Sequence, residues 1–422
     1  MQRVPCGSPG SLPVPGRVPH ELIPTILGNL VPKFLPPPTV LGSADVARWK
    51  AFRKEQHAFA NFSMVSRPWR AMSLPLLLHT VVVLVFDDRV ESIRKLLETY
   101  GHSVRVMVLW EPLDTDRQLY TALLRRLLLQ NSFAAVINQC FTLVDRLERL
   151  ECYNARRTLD LDNTSLFTSI QVPKIRSVKL QFGTGRDPNL HETLSQVAPH
   201  IEELELCSWM WWVPSSTQSK DFNVYPRLKS LTLRDCCAGL QDMATLLKGT
   251  PNLRKLVILN PTNLSSRELA VLFERDSFGS CLDHLAVSRL DPSDFLANCP
   301  FLKTFVALSQ CTSHCLTVLP ETLERLALTV RVSPWATHRP FSPPNALASH
   351  ITSQRARQLK HVAVITNVSS GYSIGDILGQ EIHAAMEIAC KSAGVTLSHL
   401  STDTNVQDLS EWADIIELLR ED

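Results

Sequence analysis

The chain has 422 residues, a net charge of +2 and 45% apolar residues, enough to build a large core and more than one domain. The near-neutral charge lacks the electrostatic footprint of a nucleic-acid-binding protein. No stretch reaches the roughly 18 uninterrupted apolar residues of a membrane helix: Leu74–Phe86 comes nearest, but Pro75 and His79 interrupt it and Asp87 and Asp88 close it. The eleven cysteines are odd in number and scattered, with no signal-peptide core ahead of them. They imply free thiols in a reducing compartment, the cytoplasm or the nucleus.

Residues 1–16 are rich in Pro, Gly and Ser and are expected to be disordered. From Glu21 to Leu30, apolar Leu22, Ile23, Ile26, Leu27 and Leu30 recur at helical spacing. Pro19 sits ahead of this helix, where a missing N–H costs little. Gly28 weakens it by roughly 1 kcal/mol relative to Ala, so the helix needs a partner to pack against. A stiff extended run, Pro36-Pro37-Pro38, follows within a Pro-rich insertion at 31–44. Ser43 and Asp45 then open a helix carrying Trp49, Phe52 and Phe59. Ser66-Arg67-Pro68-Trp69 reads as another helix start, with Ser66 as cap and Pro68 in the first turn. Val81–Phe86 reads as a buried strand.

VPHELIPTILGNL (Val18–Leu30) and VSRPWRAMSLPLL (Val65–Leu77), taken in that order, resemble the fungal-type F-box. The resemblance covers under a fifth of the chain and departs from the family in the insertion after Leu30. It implies a helical docking module over residues 17–80. That module would hold the adaptor, and through it the cullin scaffold, of an SCF-type ubiquitin ligase. The residues that match are Pro19, Leu22, Ile23, Ile26, Leu27, Val65 and Trp69.

Beyond residue 81 a rhythm L-x-x-L-x-L recurs. Clear segments begin at Ile175, Ile201, Leu228, Leu253, Leu282 and Leu323, and weaker ones at Val104, Leu147, Leu302 and Leu359. Starts from Leu147 to Leu323 lie 20 to 29 residues apart, and the next step is 36, across a Pro-rich insert at Pro334–Pro344. Helices are expected at Arg89–Tyr100, Asp116–Asn138, Glu192–Ala198, Leu240–Lys248, Ser265–Glu274 and Ser293–Ala297, the first closed by Gly101. A strand whose leucines point one way cannot bury them alone, so neighbouring units must stack. The pattern resembles leucine-rich repeats and implies an α/β fold: an irregular solenoid, or horseshoe, over residues 81–370. Residues 371–422 are expected to form a cap with a tail helix carrying Trp412, Ile415, Ile416 and Leu419.

Residues between and after the leucines face the other side of such strands. Early repeats place charged and polar residues there, among them Arg149, Glu151, Lys179, Gln181, Glu203 and Glu205. Later repeats place Lys255, Val257, Leu259, His284, Val306 and Leu308, the candidate surface for a target protein. Trp209, Met210, Trp211 and Trp212 follow a strand and read either as a binding loop or as packing over neighbouring repeats.

No residue is assigned a catalytic, cofactor or metal role. Gly371-Tyr372-Ser373-Ile374-Gly375 matches G-x-S-x-G, but the following His383, His399 and Asp403 come in the wrong order for a hydrolase, with too little chain left for its sheet. Cys311, His314 and Cys315 lack a second ligand pair at zinc spacing. Gly183-Thr184-Gly185-Arg186 lacks the phosphate-loop spacing and its Lys. By its resemblance to F-box proteins with leucine-rich repeats, the chain is expected to be a non-catalytic receptor subunit of a ubiquitin ligase, with neither nucleic acid nor membrane as a partner. The alternative is an interaction scaffold whose F-box-like helices only cap the solenoid.

Overall fold

The structure, a computed structural model, describes residues 26–27, 30, 44–84, 90–110, 139–153, 175–181, 200–208, 225–275, 278–310, 313–332, 343–368 and 374–402. The expected helices at Asp116–Asn138 and Glu192–Ala198, the aromatic run at Trp209–Trp212, Gly183–Arg186, Cys311, Ser373 and the tail segment around Trp412 lie outside the described residues.

The fold is α/β. Ile26, Leu27 and Leu30 are helical, and the described elements with printed bounds open with α1 (Ala44–Ala60), α2 (Phe62–Val65) and α3 (Arg67–Leu77). Strand β1 (Thr80–Leu84) follows, then α4 (Val90–Tyr100). Next come β2 (Val106–Trp110), β3 (Arg149–Tyr153), β4 (Ser177–Gln181), β5 (Glu203–Cys207) and β6 (Ser230–Arg234). The chain continues through α5 (Leu240–Lys248), β7 (Lys255–Leu259), α6 (Ser266–Arg275), β8 (His284–Val287), β9 (Thr304–Gln310), α7 (Ser313–Thr317) and β10 (Arg325–Val332). It closes with α8 (Pro343–Ile351), β11 (His361–Val368), α9 (Ile374–Ala393) and β12 (Thr396–Thr402). The twelve strands form one sheet in strict chain order, and every pairing is parallel.

The leucine rhythm explains this order. Leu204 and Leu206 of β5, Leu231 and Leu233 of β6, and Leu256 and Ile258 of β7 all enter one apolar core that runs from Val81 to Val395. Burying each such side chain contributes about 1.5–3 kcal/mol, and one strand can do so only between two others. Expected and observed helices agree within a residue at α4, α5 and α6. Ser265 caps α6 reciprocally: its backbone N donates to Glu268 Oε2 at 2.7 Å, and Glu268 N donates to Ser265 Oγ at 3.3 Å. The expected helix at Ser293–Ala297 is instead two short 3₁₀ turns, Pro292–Asp294 and Leu296–Asn298. The sheet also runs past residue 370, where the repeats were expected to end. Ile374–Thr402 supplies α9 and a twelfth strand paired with β11.

A charged rail runs along the N-terminal ends of the strands. The residue before a strand offers its carbonyl to two N–H groups of the next unit. Arg105 O accepts from Glu148 N (2.8 Å) and Arg149 N (3.0 Å), and Glu148 O accepts from Arg176 N and Ser177 N. The same pairing recurs at Arg176, Glu202, Lys229, Arg254, Asp283, Lys303 and Glu324. The side chains of this rail mostly alternate in sign, giving Arg105–Glu148 (3.3 Å), Lys229–Glu202 (2.7 Å), Lys303–Asp283 (3.7 Å) and Lys360–Glu324 (2.6 Å). Lys229 and Arg254 break the alternation, and Arg254 turns aside to donate to the Cys281 carbonyl at 3.0 Å. At the other end, Ser208, Asp235 and Asn260, each just after a strand, turn the chain with φ of 55°, 52° and 47°.

Candidate functional site

The helical end has its own small core. Leu27 and Phe59 are buried together, with Phe62, Trp69, Met72, Leu76 and Leu77 packed around them. Phe62 stacks on Trp69 at 5.6 Å and meets Phe59 edge-on at 5.7 Å. Ser66 caps α3, its side chain accepting from Trp69 N, with Pro68 in the first turn. Around this core Met64 and Val65 stand exposed at 75% and 63%. Phe52 lies two turns before Phe59 on α1. It enters a different cluster, on the sheet face opposite the leucines, with Val82, Val108, Trp110 and Tyr153. Helix α1 thus ties the helical end to the first three strands.

Further along that second face the cross-strand rows change character. One row reads Val82, Val108, Glu151, Lys179, Glu205, Thr232, Val257, Ala286, Val306, Ala327 and Ala363 from β1 to β11. Its middle is charged and largely buried. Glu151 is held by Arg149 Nε at 2.6 Å and by the Tyr153 hydroxyl, which donates to it at 2.5 Å. Lys179 Nζ lies 2.8 Å from Glu205 Oε1 and 5.8 Å from the centre of the Tyr153 ring. Arg234 Nη2 approaches the same Glu205 oxygen at 3.6 Å. Burial pushes the Glu205 carboxyl up, but Lys179 and Arg234 outweigh it and hold it below the usual carboxylate range. Below this strip, at the strands' N-terminal ends, an open cavity of about 370 Å³ is lined by His79, Arg105, Glu148, Arg149, Arg176 and Glu202, among others.

The chain matches no family model and no curated protein.

Of the residues expected to face an adaptor, Pro19, Leu22 and Ile23 lie outside the described residues. Ile26 is half-buried. Leu27 is fully buried against Phe59, so it holds the helical core together rather than facing outward. Val65 is exposed, and Trp69 is half-buried under Phe62. The structure brings Val257, Leu259, Val306 and Leu308 into one cluster with Ala286, Ala327, Ala363 and Ile365. Val257, Leu259 and Val306 are only 2–3% exposed. They are interior side chains rather than an open face. His284 is the more exposed and Lys255 half-buried, both in the row at the strands' N-terminal ends. Sequence reasoning placed Lys179 and Glu205 on this face but missed Arg234, which pairs with neither the leucine rhythm nor a motif.

Among the described residues no group of three or more His, Cys, Asp or Glu side chains could hold a metal. Cys299 and Cys315 are fully buried, while His314 is exposed. Burial pushes the Cys140 thiol up to about 11 and the Cys299 thiol up to about 12. A thiol held neutral in this way is a poor nucleophile or ligand. No described helix is long and apolar enough to cross a membrane.

Proposed function

We propose that this protein is a non-catalytic receptor subunit of an SCF-type ubiquitin ligase. The helical end is an F-box-like module that docks the adaptor. The strands and helices form a leucine-rich-repeat solenoid that presents a target protein. The chain supplies proximity: a target held beside a ubiquitin-conjugating enzyme reacts at raised effective concentration.

The observation that carries this reading is the separate helical core around Phe59 and Phe62, with Met64 and Val65 left exposed beside it. Large apolar side chains exposed side by side are typical of an interface. The solenoid reading is supported by the strict strand order, the single leucine core and Cys236. Cys236 follows β6 and donates its thiol to the Leu206 carbonyl of the preceding unit at 3.3 Å, a place where such repeats carry Asn or Cys.

The test is binding of the full chain to the purified adaptor, beside a Met64→Asp/Val65→Asp variant. Both side chains are exposed, so the variant should keep its thermal midpoint while losing at least about 30-fold in affinity, as central interface anchors do. A folded wild type that binds no adaptor sinks the proposal. A second reading then stands, supported by the Phe52 contact: the helices cap the sheet's first strands in an interaction scaffold with no ligase role.

A further inference from the structure

We infer that Arg234, with Lys179, forms an anion-binding site on the second sheet face, made for a carboxylate or phosphoryl group on a protein partner. The inference does not depend on the docking of the helical end.

The argument begins with charge. Glu151 is already satisfied by Arg149 and Tyr153. That leaves Lys179 and Arg234, two cations, on the single carboxylate of Glu205. Asp235, the next acidic residue along the chain, has its carboxylate held by Asn260 Nδ2 at 3.1 Å instead. Among the described side chains of the strip, Arg149, Lys179 and Arg234 thus stand against Glu151 and Glu205, three cations to two carboxylates, a surplus of one positive charge. Geometry locates it. Lys179 lies closest to Glu205, at 2.8 Å, whereas Arg234 Nη2 stands off at 3.6 Å, beyond good hydrogen-bond length. Arg234 Nε is buried and has no hydrogen-bond partner among the described residues. A buried donor left unfilled is costly, and more so on a charged group.

The Arg234 side chain still keeps a 12% opening to solvent, so an oxyanion has a path to the edge of the guanidinium. An anion there would fill the vacant donor and neutralise the surplus charge together. The planar fork of Arg suits paired oxygens, which carboxylate and phosphoryl groups both offer. The site lies at the C-terminal end of β6, where Arg234 pairs in register with Cys207 and Leu259. A segment crossing β4–β6 would bring its anionic side chain down onto it.

The test is thermal unfolding of the full chain in chloride, acetate and phosphate at one ionic strength. It compares wild type, Arg234→Gln and, as a control outside the site, Lys303→Gln, whose side chain pairs with Asp283 at the strands' other end. Phosphate, alone or together with acetate, should raise the midpoints of wild type and Lys303→Gln by about 2 °C at about ten times Kd, and the shift should vanish in Arg234→Gln. A response to acetate as well means that a carboxylate suffices; a response to phosphate alone means a phosphorylated partner. No shift in wild type, or an equal shift in Arg234→Gln, overturns the site. If Arg234→Gln does not fold, Arg234→Lys replaces it, keeping the charge but losing the fork. Its shift should be smaller, and an undiminished shift overturns the site.

Discussion

At the scale of single residues, two glycines and four histidines show how closely the units are fitted. A Cβ built on Gly279 would sit 2.3 Å from the Asn298 carbonyl oxygen, and one on Gly101 only 2.0 Å from that of Leu143. Backbone cannot yield as a side-chain tip does. Gly279→Ala should therefore destabilise the protein by about 2–3 kcal/mol, read as a lower urea midpoint; an unchanged midpoint would show that the turn relaxes freely. The histidines act through pH. Partial burial, reinforced by neighbouring Arg105, Lys255, Arg355 or Arg325, holds His79, His284, His350 and His361 below their ordinary value of 6.5. The unfolded chain then takes up protons before the folded one, so stability should fall as pH drops through about 6.5. Glu205, held below the carboxylate range, adds a second loss at lower pH. Thermal midpoints across this range should show the slope, flattened in His284→Gln/His361→Gln; equal slopes would refute the assignment. Some of this scale was legible in sequence. The leucines declare their face by spacing alone. The contact of Arg234 with Glu205 was not legible, because it depends on a register between strands 29 residues apart in the chain.

At the scale of elements, the parallel ladder is steered by its rail as well as by its leucines. Glu202 sits between Arg176 and Lys229, at 4.0 and 2.7 Å. These pairs are solvent-exposed in part, so each is worth little. Glu202→Lys nevertheless leaves four rail positions in a row cationic, from Arg176 to Arg254. It should destabilise by about 1 kcal/mol at low salt and by much less near 1 M salt, where charges are screened over about 3 Å. A salt-independent loss would mean that Glu202 acts through packing instead. Helices α4, α5 and α6 were readable from apolar spacing and stop signals. Strand β12 was not, because Thr396–Thr402 is mostly polar and lacks the leucine triplet. Its place is set by α9 and β11, not by its own pattern. The role of α1 was equally hidden. The sequence shows an insertion, whereas the fold shows Phe52 seated on three strands.

At the scale of the whole molecule, each strand bonds only to the one before and the one after, so stability is close to a sum over neighbours. The ends should then open first unless something covers them, and Phe52 of α1 joins the apolar cluster on one face of the first three strands. Phe52→Ala, at a side chain 5% exposed, should cost about 3–4 kcal/mol locally. In hydrogen exchange β1–β3 should lose protection while β7–β9 keep theirs; a uniform loss across the sheet would show one indivisible unit. Strand order was legible from repeat spacing. The burial of Val257, Leu259 and Val306 was not, because it depends on what lies over a face, not on the face itself. The doubled carbonyl acceptance at the foot of each strand carries a last consequence. The joint between neighbours has the same backbone form wherever it recurs, and it tolerates even the Lys229–Arg254 step, where cation follows cation. Cutting out residues 229–253 would bring Arg254 to Glu202 in place of Lys229, and Leu256 and Ile258 to the places of Leu231 and Leu233. The molecule is written in interchangeable modules, so its length can change by whole units without a new fold having to be invented.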